Sequence, residues 1–154
     1  MEETKTKYKY EALFWSIALP GFGQFVNKKL FKGAIFIFLE FVVNVMSNFN
    51  LAIVASFNGN IQSAIAITNY QWLMFYPCLY MYSLWDAFRD SNTNISPYLY
   101  LPYAFGAFFV TIGLIYSARI TFFGVLIGPV FLPMLFLIPG LLVGFGVRKI
   151  IFLR

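Results

Sequence analysis

Gly33-Ala-Ile-Phe-Ile-Phe-Leu-Glu-Phe-Val-Val-Asn-Val-Met-Ser-Asn-Phe-Asn-Leu-Ala-Ile-Val-Ala-Ser-Phe57 holds one charge, Glu40, in twenty-five residues. A helix rises 1.5 Å per residue, so the roughly 30 Å hydrocarbon core of a bilayer takes about 20 residues. The stretch is long enough to cross. Asn27-Lys-Lys-Leu-Phe-Lys32 precedes it and an uncharged turn with Asn58-Gly59-Asn60 follows. Outward from there, Ala64 to Trp85, Tyr98 to Ala118 and Thr121 to Val147 are expected as further spans. A polar loop, Asp86 to Pro97, and a tight turn at Arg119 separate them. Pro129, Pro133 and Pro139 are compatible with a bent last span, because neighbouring helices can satisfy the freed backbone groups.

Composition agrees. The chain is 60% hydrophobic and 11% charged, against about 25% charged in soluble domains. A soluble fold of this size could not hide so much apolar surface. The net charge of +5 is spread between apolar runs, where it serves as a topology signal and as a contact to anionic lipid. Nucleic-acid binding is not expected. With no histidine and a single cysteine, Cys78, no metal or cofactor is expected either. Cys78 itself is expected to be a buried thiol without a special role.

The N-terminal part is less regular. Residues 1–11 are polar, and the apolar run from Ala12 to Val26 is short and interrupted by Pro20, Gly21 and Gly23. It shows no small-x-small site of a cleavable signal peptide. Cytoplasmic loops collect Lys and Arg. If residues 12–27 cross the membrane, the best charge division is seven against four. If they dip in and return, Lys5, Lys7, Lys9, Lys28, Lys29, Lys32, Arg89, Arg148, Lys149 and Arg154 share one side and Arg119 stands alone, ten against one. The expectation is therefore an all-α polytopic membrane protein forming a single domain over 1–154. It would have four transmembrane helices at 33–57, 64–85, 98–118 and 121–147. A re-entrant or interfacial helical hairpin at 12–27 would precede them, with both termini cytoplasmic in the cell membrane.

Leu19-Pro-Gly-Phe-Gly-Gln-Phe-Val-Asn-Lys-Lys-Leu-Phe-Lys-Gly33 and Trp85-Asp86-Ala87 resemble the hinge and the closing motif of small bacterial membrane proteins related to the two-transmembrane-helix domain family. The resemblance covers about residues 12–90. It implies a small helical membrane protein and supplies no catalytic residue. Val26 stands where an aromatic residue is common in that pattern, and Lys28 where glycine is common. Pro139-Gly140 before Arg148-Lys149 faintly echoes Pro20-Gly21 before Lys28-Lys29.

Glu40 is the acidic residue that lies well inside a span, and an ionisable group there is by default a functional hypothesis. Asn44, Ser47 and Asn48 follow on the same helical face, and Asn69, Trp72, Tyr76, Tyr80 and Ser83 share a face of the second span, with Asp86 near its end. Two readings compete. The stripes are interhelical glue, or they form a polar path or lipid headgroup groove around Glu40. With equal rise on both helices, an antiparallel hairpin pairs residues whose numbers sum to about 119 or 120, which sets Glu40 level with Tyr80 and Asn44 level with Tyr76. The six aromatics Trp15, Trp72, Trp85, Tyr98, Tyr100 and Tyr103 are expected as interface anchors. Gly21 and Gly23 follow no strand, so they form no nucleotide fingerprint. Serine chemistry lacks a histidine base and a membrane-depth lysine. The functional expectation is a non-enzymatic membrane protein acting through membrane lipids, a membrane-protein partner or a homo-oligomer, in an accessory, immunity, stress or assembly role. The alternative is a small transporter, channel or lipid-moving protein that uses the Glu40 stripe.

Overall fold

The computed structural model describes residues 2–92 and 97–153, with side chains from residue 10 onward within those ranges. Residues 93–96 of the polar loop and Arg154 lie outside the described residues. In chain order the helices are α1 (Glu2–Ala18), α2 (Phe22–Val26), α3 (Leu30–Ser47), α4 (Phe49–Phe57), α5 (Ile61–Ile67), α6 (Tyr70–Leu73), α7 (Tyr76–Asp90) and α8 (Leu101–Tyr116). A small hairpin of β1 (Thr121–Phe122) and β2 (Val125–Leu126) then leads into α9 (Gly128–Phe152). The architecture is all-α. Two helices, α3 and α9, are long and apolar enough to cross a membrane. Much of the exterior is apolar: Phe31, Phe38, Leu51, Leu142 and Phe152 are among its exposed side chains.

Four expected helix boundaries are corrected. The stretch 33–57 is two helices. Asn48 sits between them in the left-handed region at φ 58°, a conformation that asparagine tolerates better than most residues. Its amide donates to the Ile67 carbonyl at 3.0 Å, which ties the bend to the returning chain. The stretch 64–85 is three pieces. Thr68 is extended, and Asn69 caps α6 by accepting from the Trp72 N–H at 3.4 Å. Pro77 then sits in the first turn of α7, where its missing N–H is harmless. Within 98–118 the helix is α8, sixteen residues long. The expected start of the last span, residues 121–126, is instead the β-hairpin. Phe123 and Gly124 both have positive φ, 50° and 80°, as a two-residue hairpin turn matching strand twist requires. Residues 2–11, expected as a separate polar segment, form the first part of α1.

The N-terminal hairpin has the expected shape. The chain leaves α1 at Ala18, turns through Pro20 and Gly21, and returns as α2. Gly21 has φ 105°, and a Cβ there would lie 2.5 Å from the Gly33 carbonyl oxygen, so the turn needs glycine twice over. Gly23 touches Ser16, Ala12 and Ala87 so closely that α1, α2 and α7 meet without side-chain spacing. The turn from α2 into α3 also forms, although Lys28 replaces the usual glycine. Lys28 takes φ 60°, the Lys28 N–H donates to the Phe25 carbonyl at 2.9 Å, and the Lys29 N–H donates to Gln24 at 2.8 Å. This is the bonding of a Schellman motif.

The tightest helix pair is α8 against α9. Gly113 faces Pro133, Gly140 faces Phe109 and the Phe105 carbonyl, and Gly144 faces Pro102. Gly140 and Gly144 make a Gly-x-x-x-Gly ridge of the kind that lets membrane helices approach closely. Pro139 lies inside the continuous α9, whereas Pro20 breaks a helix, so the two Pro-Gly steps are not structural equivalents. The core beside this pair is Met81, Leu84 and Ala107, with Leu13, Tyr80, Tyr103 and Leu137 packed against it. Lys32 reaches the last turns of α7, and the Gly144 end of α9 packs on the start of α8. The fold thus gathers Lys28, Lys29, Lys32, Arg89, Arg148 and Lys149 at one end, with Arg119 after the far end of α8.

Candidate functional site: an interhelical cavity bearing Glu40

The polar residues singled out in the sequence separate into three groups. The first joins the hinge to α7. The Gly21 N–H donates to Ser83 Oγ at 3.3 Å, and Gln24 Nε2 donates to the Ser83 carbonyl at 2.9 Å and to Asp86 Oδ2 at 3.2 Å. Asn27 Nδ2 donates to the Ala87 carbonyl at 2.7 Å. Asp86 is 2% exposed and also accepts from Lys32 Nζ at 2.9 Å and Arg89 at 3.0 Å. Both cations reach Asp90 too, at 3.1 and 3.3 Å, and the Arg89 guanidinium lies 4.4 Å over the Trp85 ring. The Pro20–Gln24 and Trp85–Ala87 segments, some sixty residues apart, therefore form one buried junction. Ser83 and Asp86 belong to it and not to a stripe facing Glu40.

The second group is the bend. Asn44 Nδ2 donates to Asn50 Oδ1 and the Asn50 N–H donates to Asn44 Oδ1, both at 3.2 Å. Ser47 Oγ donates to the Asn44 carbonyl at 3.2 Å, and the Asn69 N–H donates to the Ser47 carbonyl at 3.0 Å. With Asn48, these residues fix the α3–α4 turn against the returning α5–α6 connection. Their role is to hold backbone, as the glue reading expects.

The third group surrounds Glu40. This residue is 7% exposed, with Tyr76 and Asn44 as polar neighbours of its carboxyl. Oε2 is buried without a hydrogen-bond partner. The expected partner was Tyr80, but its hydroxyl donates to the Ile17 carbonyl at 2.7 Å. Glu40 lies level with Tyr76, one helical turn from Tyr80, because α3 and α7 do not advance equally. Lys32 pairs with Asp86 and Glu40 neighbours Tyr76, so eight residues of α3 match ten of α7. Two helices that cross at an angle do this.

Glu40 lines a cavity of about 370 Å³, within the roughly 300–1,000 Å³ range of small-molecule sites. Every layer of the fold contributes. The tip of the N-terminal hairpin (Ile17, Pro20) closes one side and α4, swung over by the Asn48 bend, covers another with Phe49, Ile53 and Phe57. Tyr76, Pro77 and Tyr80 come from α7, Val110 and Leu114 from α8, and Pro133 and Leu137 from α9. The lining is apolar apart from Glu40 and the two phenols. Tyr76 stacks on Tyr80 with ring centroids 5.6 Å apart, and Phe49 leans on Tyr76 at 4.9 Å. The sequence reading found Glu40, Tyr76 and Tyr80 but missed Phe49 and the α4 roof, since a straight span would carry Phe49 away from Glu40.

A second, wider groove of about 700 Å³ runs between α7 and α8. Cys78 lies in it and is exposed, contrary to the expected buried thiol, because α7 and α8 splay where α8 and α9 close up. Among the described residues, no group of three or more His, Cys, Asp or Glu could hold a metal ion.

No protein-family model, curated protein or solved structure matches the chain.

Proposed function

We propose that this chain is a non-enzymatic multi-pass membrane protein whose interhelical cavity holds a lipid-like, amphipathic ligand, with Glu40 receiving the ligand's polar end. The observation that carries the reading is Glu40, an acidic residue only 7% exposed, in the lining of an otherwise apolar cavity. A carboxyl group deep among apolar helices is costly, and it persists where something satisfies it.

In this proposal α3 and α9 cross alone, α5–α7 crosses as a broken return, and α8 crosses as a short helix of about 24 Å. The α1–α2 hairpin is re-entrant, entering and leaving on the side that carries the Lys32–Asp86 network. That side is cytoplasmic by the positive-inside rule, and both termini lie there. The proposal includes kinship with the two-transmembrane-helix domain proteins through the Pro20–Gln24 and Trp85–Ala87 segments.

The test is native mass spectrometry of the protein extracted in mild detergent, beside an Ile53→Trp variant that fills the cavity. The wild type should retain an amphipath that the variant lacks. The same bound species on both proteins, or none on either, would contradict the reading.

A further inference from the structure

The β-hairpin between α8 and α9 turns its apolar side chains outward. Phe122 and Val125 are partners across the two strands, so they share one face, and both are 63% exposed. Leu126, on the other face, is half-buried. Phe123 at the tip is 94% exposed and meets the Phe122 ring edge-on, with centroids 4.7 Å apart. It takes φ 50° at the first turn position, where asparagine or glycine is the usual residue. A bulky side chain at positive φ carries a backbone cost. In water this tip would be an exposed apolar patch on a two-stranded edge, an aggregation hazard.

A neighbouring turn has the opposite chemistry. Gly128, where α9 begins, lies against Ile61, where α5 begins, so the hairpin and the Asn58-Gly59-Asn60 turn share one end of the fold. That turn is polar and exposed, as suits a turn in water.

The length of α8 indicates what the hairpin meets instead. Its sixteen residues rise about 24 Å, roughly 6 Å short of the hydrocarbon core. A short span is accommodated by a thinner bilayer and by its flanking residues. Tyr98, Tyr100 and Tyr103 mark the headgroup level at one end of α8. The shortfall then falls at the other end, where the exposed Arg119 and the hairpin follow. Two strands leave unpaired backbone edges, which the hydrocarbon interior does not accept. The backbone therefore fits at headgroup level, with the rings reaching inward and Arg119 toward lipid phosphate.

We infer that the 121–126 hairpin is an interfacial anchor, with its backbone among the headgroups of the outer leaflet and Phe122, Phe123 and Val125 entering the acyl boundary. This rests on the multi-pass reading in the proposed function and not on what the Glu40 cavity holds.

Nitroxide labels on single cysteines at positions 38, 58, 123 and 125, in a Cys78→Ser background, test it in phosphatidylcholine nanodiscs. Relaxation of each label is compared in oxygen, which concentrates in lipid, and in a water-soluble nickel chelate. Phe38, exposed on α3, gives the lipid reference and Asn58 the aqueous one. Labels at 123 and 125 should favour oxygen, at ratios between the two references. When Phe122→Ser and Phe123→Ser are added, the ratio at 125 should fall toward that at 58. Ratios at 123 and 125 equal to that at 58 overturn the anchor and leave the membrane reading standing. Shielding of both from both reagents also overturns it, because protein then covers the tip. A ratio at 125 unmoved by loss of the two rings overturns their part in it. A label at 38 that favours nickel removes the membrane reading itself. Should Phe123→Cys fail to fold, position 125, with both rings in place, decides alone.

Discussion

Replacing Asp86 with alanine should loosen the N-terminal hairpin from α7, and the structure sets the size of the effect. Removing one partner of a fully buried ion pair costs roughly 3–5 kcal/mol. Asp86 is buried, but its cations are not: Lys32 is 42% exposed and Arg89 31% exposed at the side chain. Each donor residue also has another bond. Gln24 keeps the Ser83 carbonyl at 2.9 Å, and Lys32 and Arg89 keep Asp90 at 3.1 and 3.3 Å. The two cations keep Asp90 and solvent, and one N–H of the buried Gln24 amide is left without an acceptor, so the cost is about 2 kcal/mol, near that of one or two lost hydrogen bonds to a charged group. For a chain of this length that corresponds to a fall of roughly 4–8 °C in Tm. Thermal unfolding in mild detergent, followed by tryptophan fluorescence, reads it. Asp86→Asn keeps one acceptor oxygen and should lose about half as much. An Asp86→Ala protein melting within a degree of wild type would refute the claim that this junction holds the hairpin. A drop well beyond 10 °C would refute the argument that Asp90 and Ser83 take over.

Gly144→Leu should abolish the fold or its expression, because even a Cβ would lie 2.4 Å from the Pro102 Cα and backbone cannot yield as a side-chain tip does. Gly146→Leu, where a Cβ meets nothing within 4 Å, is the control, and size-exclusion profiles compare the two. Tyr80→Phe loses the bond to the Ile17 carbonyl and should cost about 1 kcal/mol, read as a small fall in Tm.

How much of this was visible in the sequence depends on the kind of signal. Apolar length located α3, α8 and α9, and Pro20, Gly21 and Gly23 marked the hairpin turn, because those residues act through their own backbone. Charge counting anticipated the gathering of basic residues that the fold brings to one end. The breaks at Asn48 and Thr68–Asn69 were harder to see, since hydropathy does not register one left-handed or one extended residue inside an apolar run. Asn69 as a cap and Pro77 as a first-turn residue were legible signals that span length masked. The β-hairpin at 121–126 was hidden for the same reason, although Gly124 and Gly128 bracket it. Glu40 was identified from cost alone, but its surroundings depend on the Asn48 bend and on helix crossing, neither of which periodicity supplies. The junction of Gln24 with Asp86 links positions some sixty residues apart.

The proposed function places the Glu40 cavity within a bilayer, with the basic end of the fold cytoplasmic. Single cysteines at positions 28, 58 and 119, in a Cys78→Ser background, are labelled in intact cells with a membrane-impermeant maleimide. Positions 58 and 119 should label and position 28 should stay protected until the cells are opened. Labelling at 28 from outside, with 58 and 119 protected, would contradict the orientation. Labelling at 28 together with 58 would contradict the crossing of α3 itself.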